Sequence, residues 1–325
     1  MSACLLGLAL YLAVMAFGTR APAPGWEPQV ITIRKGTSAS RIAEMLRHQG
    51  VIEHPQVFRY LAALSGSTRK LKAGRYRFDY PLSAYEAVSK LNSGAVVYRK
   101  VTIPEGLTMA QIAGKLTTEA GVDSQAMIAC FRDTSLTRAL GIPARNLEGY
   151  LFPSTYEMEW ESEPQDIARR MATTFFNNLP QQWRQEVERQ GLNLHHVVIM
   201  ASLVEREAQL EAERPLVASV FYNRLKARRP LESCATVEYA LPRHKNRRLT
   251  YDDLEIDSPY NTYHRIGLPP GPICNPGLKS IEAAIFPAQS KYLYFVSKGD
   301  GSHIFSSSLD EHNRAKRLIQ EKGLR

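Results

Sequence analysis

The chain has 325 residues, enough for two domains, and its 44% hydrophobic and 22% charged composition is typical of an ordinary folded protein. Lysine and arginine exceed aspartate and glutamate by nine, which favours an acidic partner such as nucleic acid, anionic lipid or a carboxylate-bearing polymer. A generally basic, solvated surface explains the same charge. The densest basic group, Arg243–Arg248, accompanies no zinc-finger, basic-zipper or RNA-recognition signature, so we expect no nucleic-acid partner.

The N-terminus is an apolar run from Ala3 to Gly18, followed by the loose, proline-containing segment Ala21–Gly25. The run is shorter than the roughly 20 residues that span a bilayer, and no positively charged region precedes it as in a signal peptide. Because the loose segment separates it from the rest, an anchor or uncleaved signal is a better interpretation than a core helix. We expect a transmembrane anchor over 1–20, a linker over 21–27 and export of the remainder.

Residues 28–98 have the pattern of a small α+β module. The expected elements are a strand at Val30–Ile33, helices at 39–48 and 55–64, a strand ending at Phe78 and a helix from Pro81 to about Gly94. Such a module either grips a polymer or separates the following domain from the membrane.

Residues 99–325 have the pattern of a larger, mixed α+β domain, with Thr108 as the N-cap of its first helix. Helices are predicted over 109–118, 123–132, 164–178, 181–190, 280–286 and 310–322, and strands over 291–296 and 303–305. Residues 194–226 are helical in character, and we expect Pro215 to divide them into two helices.

The helix that begins near residue 194 carries an apolar run that ends on Glu205 and Glu207. Burial disfavours a charged carboxylate, so a glutamate here has a reason to hold its proton near neutral pH. Residues two apart on a helix diverge by about 200°, so the two glutamates cannot face one cleft. Glu205 shares its face with small residues that leave room for a substrate. Glu207 shares its face with leucine and valine, and we expect it to need a basic partner such as Arg224.

A polar loop framed by proline supplies residues that can hydrogen-bond to a sugar and stack on it. The candidate substrate-binding residues are Tyr260, Asn261, Thr262, Tyr263, Asn223, Thr236 and Glu232. Pro269 and Pro270 are expected to stiffen the adjoining wall, because proline fixes φ. A rigid surface turn is the alternative interpretation for the loop, and helix capping is the alternative for Asn223.

The four cysteines are Cys4, Cys130, Cys234 and Cys274, and neither they nor the histidines have a metal-ligand spacing. We therefore expect no metal and no cofactor. Cys234 and Cys274 could form a disulfide in an oxidising compartment, but their spacing alone leaves this open.

Short strings follow one another along the chain: Leu71–Tyr76, Ile103–Gly106, Glu148–Pro153, Ala201–Glu207, Val217–Leu225, Tyr260–Tyr263, Gly267–Ile273 and Tyr292–Val296. Their number and order resemble the endolytic murein transglycosylase family, which consists of anchored enzymes that cut peptidoglycan glycan strands. The resemblance runs from about residue 28 to the end. It implies a LysM-like module at 28–98 and a catalytic domain over 99–325. It also implies a single-pass anchor in the bacterial inner membrane, with the catalytic domain in the periplasm.

The resemblance further implies lyase chemistry at Glu205. A glycosidic bond breaks through an oxocarbenium-like transition state, and a carboxylic acid must protonate the leaving oxygen. A hydrolase adds a second carboxylate, whereas a lytic transglycosylase needs only one. That carboxylate donates a proton and then accepts one from the sugar's own 6-hydroxyl, which leaves a 1,6-anhydro end. The implied partners are peptidoglycan glycan strands and peptidoglycan synthases.

The segment Leu231–Val237 departs from the family pattern. Glu232 stands where the family usually has glutamine, and Cys234 stands where it usually has aspartate; Ser154 also replaces an aspartate. Two alternatives therefore stay open beside an endolytic transglycosylase. One is a hydrolase of the same polymer, and the other is a catalytically weak or inactive peptidoglycan-binding scaffold of the cell-wall synthesis machinery.

Overall fold

The computed structural model describes residues 16–18, 22, 25–67, 70–241 and 249–321. Most of the expected anchor and linker, and the basic group 243–248, lie outside these residues. Within the described ranges, no helix is long and apolar enough to cross a membrane. The chain divides into two compact units. The first holds residues up to 101 together with 118–122 and 156–162, and the second holds the remaining residues from 102 onward.

The first unit is built on an antiparallel pair of strands, β1 (Gln29–Ile33) and β2 (Gly74–Phe78), with Gln29 opposite Phe78. Its helices are α1 (Ala39–His48), α2 (Pro55–Leu64) and α3 (Ala84–Ser93). Alternate strand residues and one face of each helix form the core, which includes Ile31, Ile33, Leu46, Phe58, Tyr76, Phe78 and Leu91. This is the α+β pattern that the sequence predicts.

Side-chain caps define where these helices begin. The hydroxyl of Ser38 accepts a hydrogen bond from the Arg41 backbone N–H at the start of α1. Ser83 and Glu86 form a reciprocal capping box at the start of α3. Gly94 ends α3 in the left-handed region, with φ of 71°, which glycine adopts without a Cβ clash.

Strands β3 (Arg99–Ile103) and β4 (Ser154–Met158) pair with each other, and each is divided between the two units. The sequence analysis did not predict β4, although the alternation of exposed and buried residues that ends in Tyr156 and Met158 is typical of a strand. Thr108 caps the following helix as predicted, because its hydroxyl accepts from the Gln111 N–H at 3.3 Å.

The second unit is mostly helical. Its further helices are α4 (Met109–Ala120), α5 (Ser124–Phe131), α6 (Thr134–Ala139), α7 (Pro164–Asn178), α8 (Gln181–Arg189), α9 (Leu194–Glu207), α10 (Arg214–Lys226), α11 (Cys234–Ala240), α12 (Tyr251–Leu254), α13 (Leu278–Ile285) and α14 (Leu309–Glu321). A final antiparallel pair is β5 (Tyr294–Ser297) and β6 (His303–Ser306), with Tyr294 opposite Ser306. A short 3₁₀ turn, Glu211–Glu213, precedes α10.

Helix α9 is the central element of this unit, and residues 197–204 along it are all buried. It packs against α10 and α13. The division that we assigned to Pro215 falls earlier, because α9 ends at Glu207 and Pro215 occupies the first turn of α10. Proline is tolerated there, since the first backbone N–H groups of a helix have no intrahelical acceptor. The result is a buried helix whose C-terminal turn presents two glutamates.

Candidate active site

Glu205 lies among hydrogen-bond donors at the end of α9. Its Oε2 accepts from Arg214 Nη1 at 2.9 Å, from Ser280 Oγ at 2.7 Å and from the Gly277 backbone N–H at 3.0 Å. The Glu205 side chain is only 7% exposed. These three donors, one of them cationic, satisfy the Oε2 atom of Glu205 and hold its side chain in place. This polar cluster, formed by Glu205, Arg214, Gly277 and Ser280, differs from the apolar surroundings that the sequence suggested.

A second carboxylate, Glu105, approaches the same cluster. A Cβ atom added at Gly277 would collide with the Glu105 carboxylate, so the close approach requires glycine at that position. Burial, followed by the charge of Glu205, raises the pKa of Glu105, and Arg214 opposes this shift. Glu105 was not predicted as a site residue and appears above only in the segment Ile103–Gly106. Its local pattern does not link it to residues that are 100 or more positions away in the chain.

Glu207 lies in different surroundings. It lines a cavity of about 430 Å³, which we call the Glu207 cavity and which Arg224, Glu232, Cys234, Tyr263 and His303 also line. Burial raises the pKa of Glu207, while the hydrogen bond from Ser233 and the charge of His303 oppose this shift. A position in the last turn of a helix also disfavours negative charge. Burial therefore gives Glu207, like Glu105, a reason to hold its proton.

Arg224 is not the partner of Glu207, contrary to our expectation. Its Nη1 donates to Glu232 Oε2 at 2.7 Å and to the Pro230 carbonyl at 3.1 Å, and its Nε donates to the Leu293 carbonyl at 2.7 Å. The guanidinium also lies 5.1 Å from the centre of the Tyr294 ring. The planar Arg224 guanidinium carries several donors, so it can bind backbone carbonyls as well as a glutamate.

The loop residues Tyr260–Tyr263 divide into buried and accessible members. Asn261 and Thr262 are completely buried. Asn261 donates from Nδ2 to the carbonyls of Leu254 and Ile256, so it holds the loop in shape. Tyr263 lines the Glu207 cavity, and its hydroxyl lies 3.0 Å from Cys234 Sγ.

Thr236 and Asn223 also use their polar groups internally. The hydroxyls of Thr236 and Thr262 are 2.9 Å apart and buried, which ties α11 to the loop. Asn223 donates from Nδ2 to the carbonyls of Ser290 and Tyr292, and so fixes the chain before β5. These contacts favour a positioning role for Asn223, Thr236, Asn261 and Thr262. Direct substrate contact by any of them stays a prediction.

The proline wall packs along α9. Pro269 is buried and Pro270 is exposed. The Ile273 backbone N–H donates to Ser202 Oγ at 3.1 Å, and Cys274 Sγ donates to the Ser202 carbonyl at 3.4 Å. Cys274 and Cys234 are both free thiols, so the disulfide that the sequence left open does not form in this structure.

Glu148 is a third carboxyl group that the sequence analysis did not single out. It is 2% exposed and accepts from the Met109 backbone N–H, from Asn275 Nδ2 and from the Tyr239 hydroxyl. Burial without a cation raises its pKa to about 8. Asn275 also accepts from the Leu151 N–H, so this buried network joins residues 148–151 to Met109, Tyr239 and Asn275.

No group of three or more histidine, cysteine, aspartate or glutamate side chains is arranged to hold a metal in the part of the chain that the structure describes. The structure brings Glu232, Tyr263 and Cys234 together with Glu207. Glu205 instead lies with Glu105, Arg214 and Ser280.

Comparison with known proteins places this geometry in a family. The YceG-like family matches residues 31–318. The chain is 38% identical over 302 residues to an endolytic murein transglycosylase of Bacillus subtilis, covering 88% of this chain and 83% of that protein. It is 31% identical over 315 residues to an endolytic murein transglycosylase of Streptococcus pneumoniae, of which it spans 57%.

A solved structure agrees with these relatives. The crystal structure of a putative YceG-like protein from Listeria monocytogenes superposes with a TM-score of 0.62 at 35% identity, covering 89% of this chain and 99% of that one. The family match over residues 31–318 covers most of the chain, including the segment that forms α9. The chain belongs to the YceG-like family.

Proposed function

We propose that this protein is an endolytic peptidoglycan lytic transglycosylase. It is a lyase that breaks MurNAc–GlcNAc glycosidic bonds within nascent glycan strands and leaves 1,6-anhydro-MurNAc ends, so that strand elongation is limited. Family membership and the names of relatives at 38% and 31% identity support the reaction class. The cavity beside the end of α9 supports the position of the chemistry.

The observation that carries the assignment of the acid/base is that Glu207, and not Glu205, lines this cavity. A general acid must reach the substrate oxygen and must hold a proton at the operating pH. Glu207 lines a space large enough for sugar units, and burial raises its pKa and so favours the protonated acid. Tyr263 offers an aromatic face in the same cavity.

In the proposed reaction, the Glu207 carboxyl gives its proton to the glycosidic oxygen as the bond to the anomeric carbon breaks and the leaving oxygen keeps the electron pair. The sugar's own 6-hydroxyl oxygen then bonds to the anomeric carbon, and its proton passes to the Glu207 carboxylate. The acid is restored and no water is consumed. Burial aids the first proton transfer, because it favours the neutral acid.

Glu205 is the sequence-based alternative for the acid/base. Its Oε2 accepts three donors, including the guanidinium of Arg214. A proton transfer from Glu205 would require this cluster to open. We therefore assign Glu205 a positioning role, in which it fastens the last turn of α9 to the starts of α10 and α13.

Glu232 is the reason that hydrolysis of the glycosidic bond is the alternative reaction. It is a second carboxylate in the Glu207 cavity, where it pairs with Arg224 at 2.7 Å. A hydrolase of this polymer would use such a group to activate water or to form a covalent intermediate. The contact with Arg224 holds the Glu232 side chain in place, and only the products distinguish the two reactions.

The location of the enzyme belongs to the same proposal. The apolar run over residues 3–18 supports a single-pass anchor in the inner membrane with the catalytic domain in the periplasm. The βααβα order of the first unit is compatible with a LysM-like module that grips glycan strands or separates the catalytic unit from the membrane. Peptidoglycan synthases are the proposed partners, since they produce the nascent strands.

The test is mass spectrometry of uncrosslinked glycan strands incubated with the wild-type protein, Glu207→Gln and Glu205→Gln. Internal fragments ending in 1,6-anhydro sugars are expected from the wild type. Glu207→Gln should lower the rate by about 10²- to 10⁴-fold, the usual contribution of a general acid/base. Glu205→Gln should retain a larger part of the activity, and thermal melting identifies any loss that comes from unfolding.

Three outcomes would contradict parts of this proposal. Products heavier by one water would indicate a hydrolase and make Glu232 the second carboxylate. A folded Glu205→Gln variant that is the less active of the two would return the acid/base to Glu205. Glycan strands left intact by the wild type would favour the non-catalytic scaffold. The replacement of the usual aspartate by Cys234 would then be the first explanation to test for the lost activity.

A further inference from the structure

His303, which lines the Glu207 cavity, is held by Glu213 and has no role in the reaction described above. The ring of His303 in β6 contacts Glu213 through Nδ1, which lies 2.7 Å from Glu213 Oε2. The His303 backbone N–H donates to the other oxygen, Oε1, at 3.0 Å. Both side chains are largely buried, at 7% and 15% exposure. One carboxylate thus fixes both the backbone and the ring of this residue.

The two contacts settle which ring nitrogen remains for the cavity. Glu213 accepts the Nδ1 proton, so Nε2 is the atom left for other partners. The ring packs edge-on against Phe295, with centroids 5.4 Å apart, and Phe295 also lines the Glu207 cavity. His303 is therefore a fixed imidazole at the wall of the space that Glu207 enters.

We propose that His303, oriented by Glu213, is a positioning residue for the reaction and that its ring, at the wall of the Glu207 cavity, stabilises the carboxylate form of Glu207. The inference rests on the proposed role of Glu207 as the acid/base. The ring makes proton release to the glycosidic oxygen easier, because its charge opposes the effect of burial on the pKa of Glu207. The proton balance of the reaction is unchanged, since His303 neither keeps nor supplies the transferred proton.

The other charged groups around Glu207 do not have the same effect on it as His303. Arg224 is paired with Glu232. Burial lowers the pKa of His312, so that ring favours its neutral form. Glu238 raises the pKa of Glu207, whereas His303 lowers it. The other titratable groups that line the cavity are Cys234, Tyr263, Tyr294 and Lys316.

The experiment is the pH profile of kcat/KM on uncrosslinked glycan strands for the full chain and for His303→Gln and Glu213→Gln. Activity falls on the alkaline side as Glu207 loses its proton. Removing the imidazolium should move this alkaline limb upward by about one pH unit, the lower end of the effect of a nearby opposite charge. Glu213→Gln should give a shift in the same direction, and the double variant should add little to either.

The matched control is His196→Gln, an exposed histidine on α9 that does not line the cavity. Its pH profile should coincide with that of the wild type. A purely structural clamp would lower the melting temperature of His303→Gln and Glu213→Gln without moving the alkaline limb, and that result would overturn the inference.

An NMR titration of the wild-type His303 ring keeps the test valid if a variant does not fold. Coupling to Glu207 should give a ring signal that responds in two steps, one of which disappears in Glu207→Gln. A single step that is unaffected by Glu207→Gln would also overturn the inference. Failure of the proposed function is distinguishable, because it would appear as the absence of 1,6-anhydro products from the wild type.

Discussion

The two glutamates at the end of α9 are separated by one residue and occupy opposite kinds of environment. Glu205 is surrounded by donors from Arg214, Ser280 and the Gly277 backbone. Glu207 lines a cavity, where burial raises its pKa. Burial alone therefore does not define a candidate acid. Glu205 is buried with a cationic donor and forms a structural ion pair, whereas burial without such an ion pair raises the pKa of Glu207.

The largest expected effect on stability is at Glu205. Glu205→Gln removes the carboxylate paired with Arg214, whose side chain is 12% exposed, so the free energy of unfolding should fall by about 3 kcal/mol. This is the lower end for a broken buried pair, because the Glu105 carboxylate still lies near Arg214. Urea denaturation at pH 7 measures this change. Glu207→Gln is the matched control and should change stability by less than about 1 kcal/mol, because it breaks no ion pair. Equal losses in both variants would remove the distinction between the two environments.

Glu148 is a third buried carboxyl group, and the donors that it accepts from are all neutral. Its pKa is about 8 in the folded protein against an ordinary value of 4.5, so the folded state binds more protons between these two pH values. The contribution of Glu148 to the free energy of unfolding should therefore be largest below about pH 4.5. It should fall by on the order of a few kcal/mol as the pH rises towards 8.

Glu148→Gln should remove this slope, since the amide can accept from Met109 and Asn275 and donate to the Tyr239 hydroxyl. Urea midpoints at several pH values measure it. The measurement belongs in a Glu207→Gln background, because the pKa of Glu207 is raised as well. A slope of unchanged size in the double variant would show that Glu148 is not its source.

A smaller effect is expected at Cys234, which lines the cavity of Glu207. Cys234→Asp adds a further carboxylate to the cavity that Glu207 and Glu232 line, and should raise the pKa of Glu207, since like charges disfavour ionisation. The alkaline limb of the kcat/KM profile should move upward by about half a pH unit. Cys234→Ser is the neutral control and should leave the limb in place. A downward shift for Cys234→Asp would mean that the new carboxylate binds a cation rather than facing Glu207.

The smallest effect concerns the thiols, and it tests which side of the site is open. In a Cys4→Ser background, iodoacetamide should modify the exposed Cys234 in the native protein, while the buried Cys130 and Cys274 should react only in urea. Peptide mass spectrometry gives the modified positions. A linked pair of peptides containing Cys234 and Cys274 would contradict the free thiols of the structure.

Local patterns predicted much of the fold. The strand at residues 30–33, the two helices after it and the terminal helix appear within one or two residues of their expected limits. Strand β4 and the short helices α6, α11 and α12 were not predicted, because elements of four to seven residues carry too few periods to be distinguished from loops.

The candidate site was predictable only in part. Helix geometry alone established that Glu205 and Glu207 face different ways. It did not establish which of them meets a cavity, and the small residues beside Glu205 proved to be packing surface for the segment that carries Ile273 and Cys274. Glu105, Glu148 and His303 were missed as site residues, because each reaches the site from a distant part of the chain.

The α+β class, the apolar helix that ends on two glutamates and the resemblance that names the substrate can be read from the order of residues, since they depend on periodicity and on residues adjacent in the chain. The partners of each carboxylate depend on the folded structure. Arg214 pairs with Glu205, Arg224 with Glu232, and His303 with Glu213. The protonation of a carboxyl group depends on charges and donors within a few ångströms, and those neighbours are set by how distant segments pack rather than by their order in the chain.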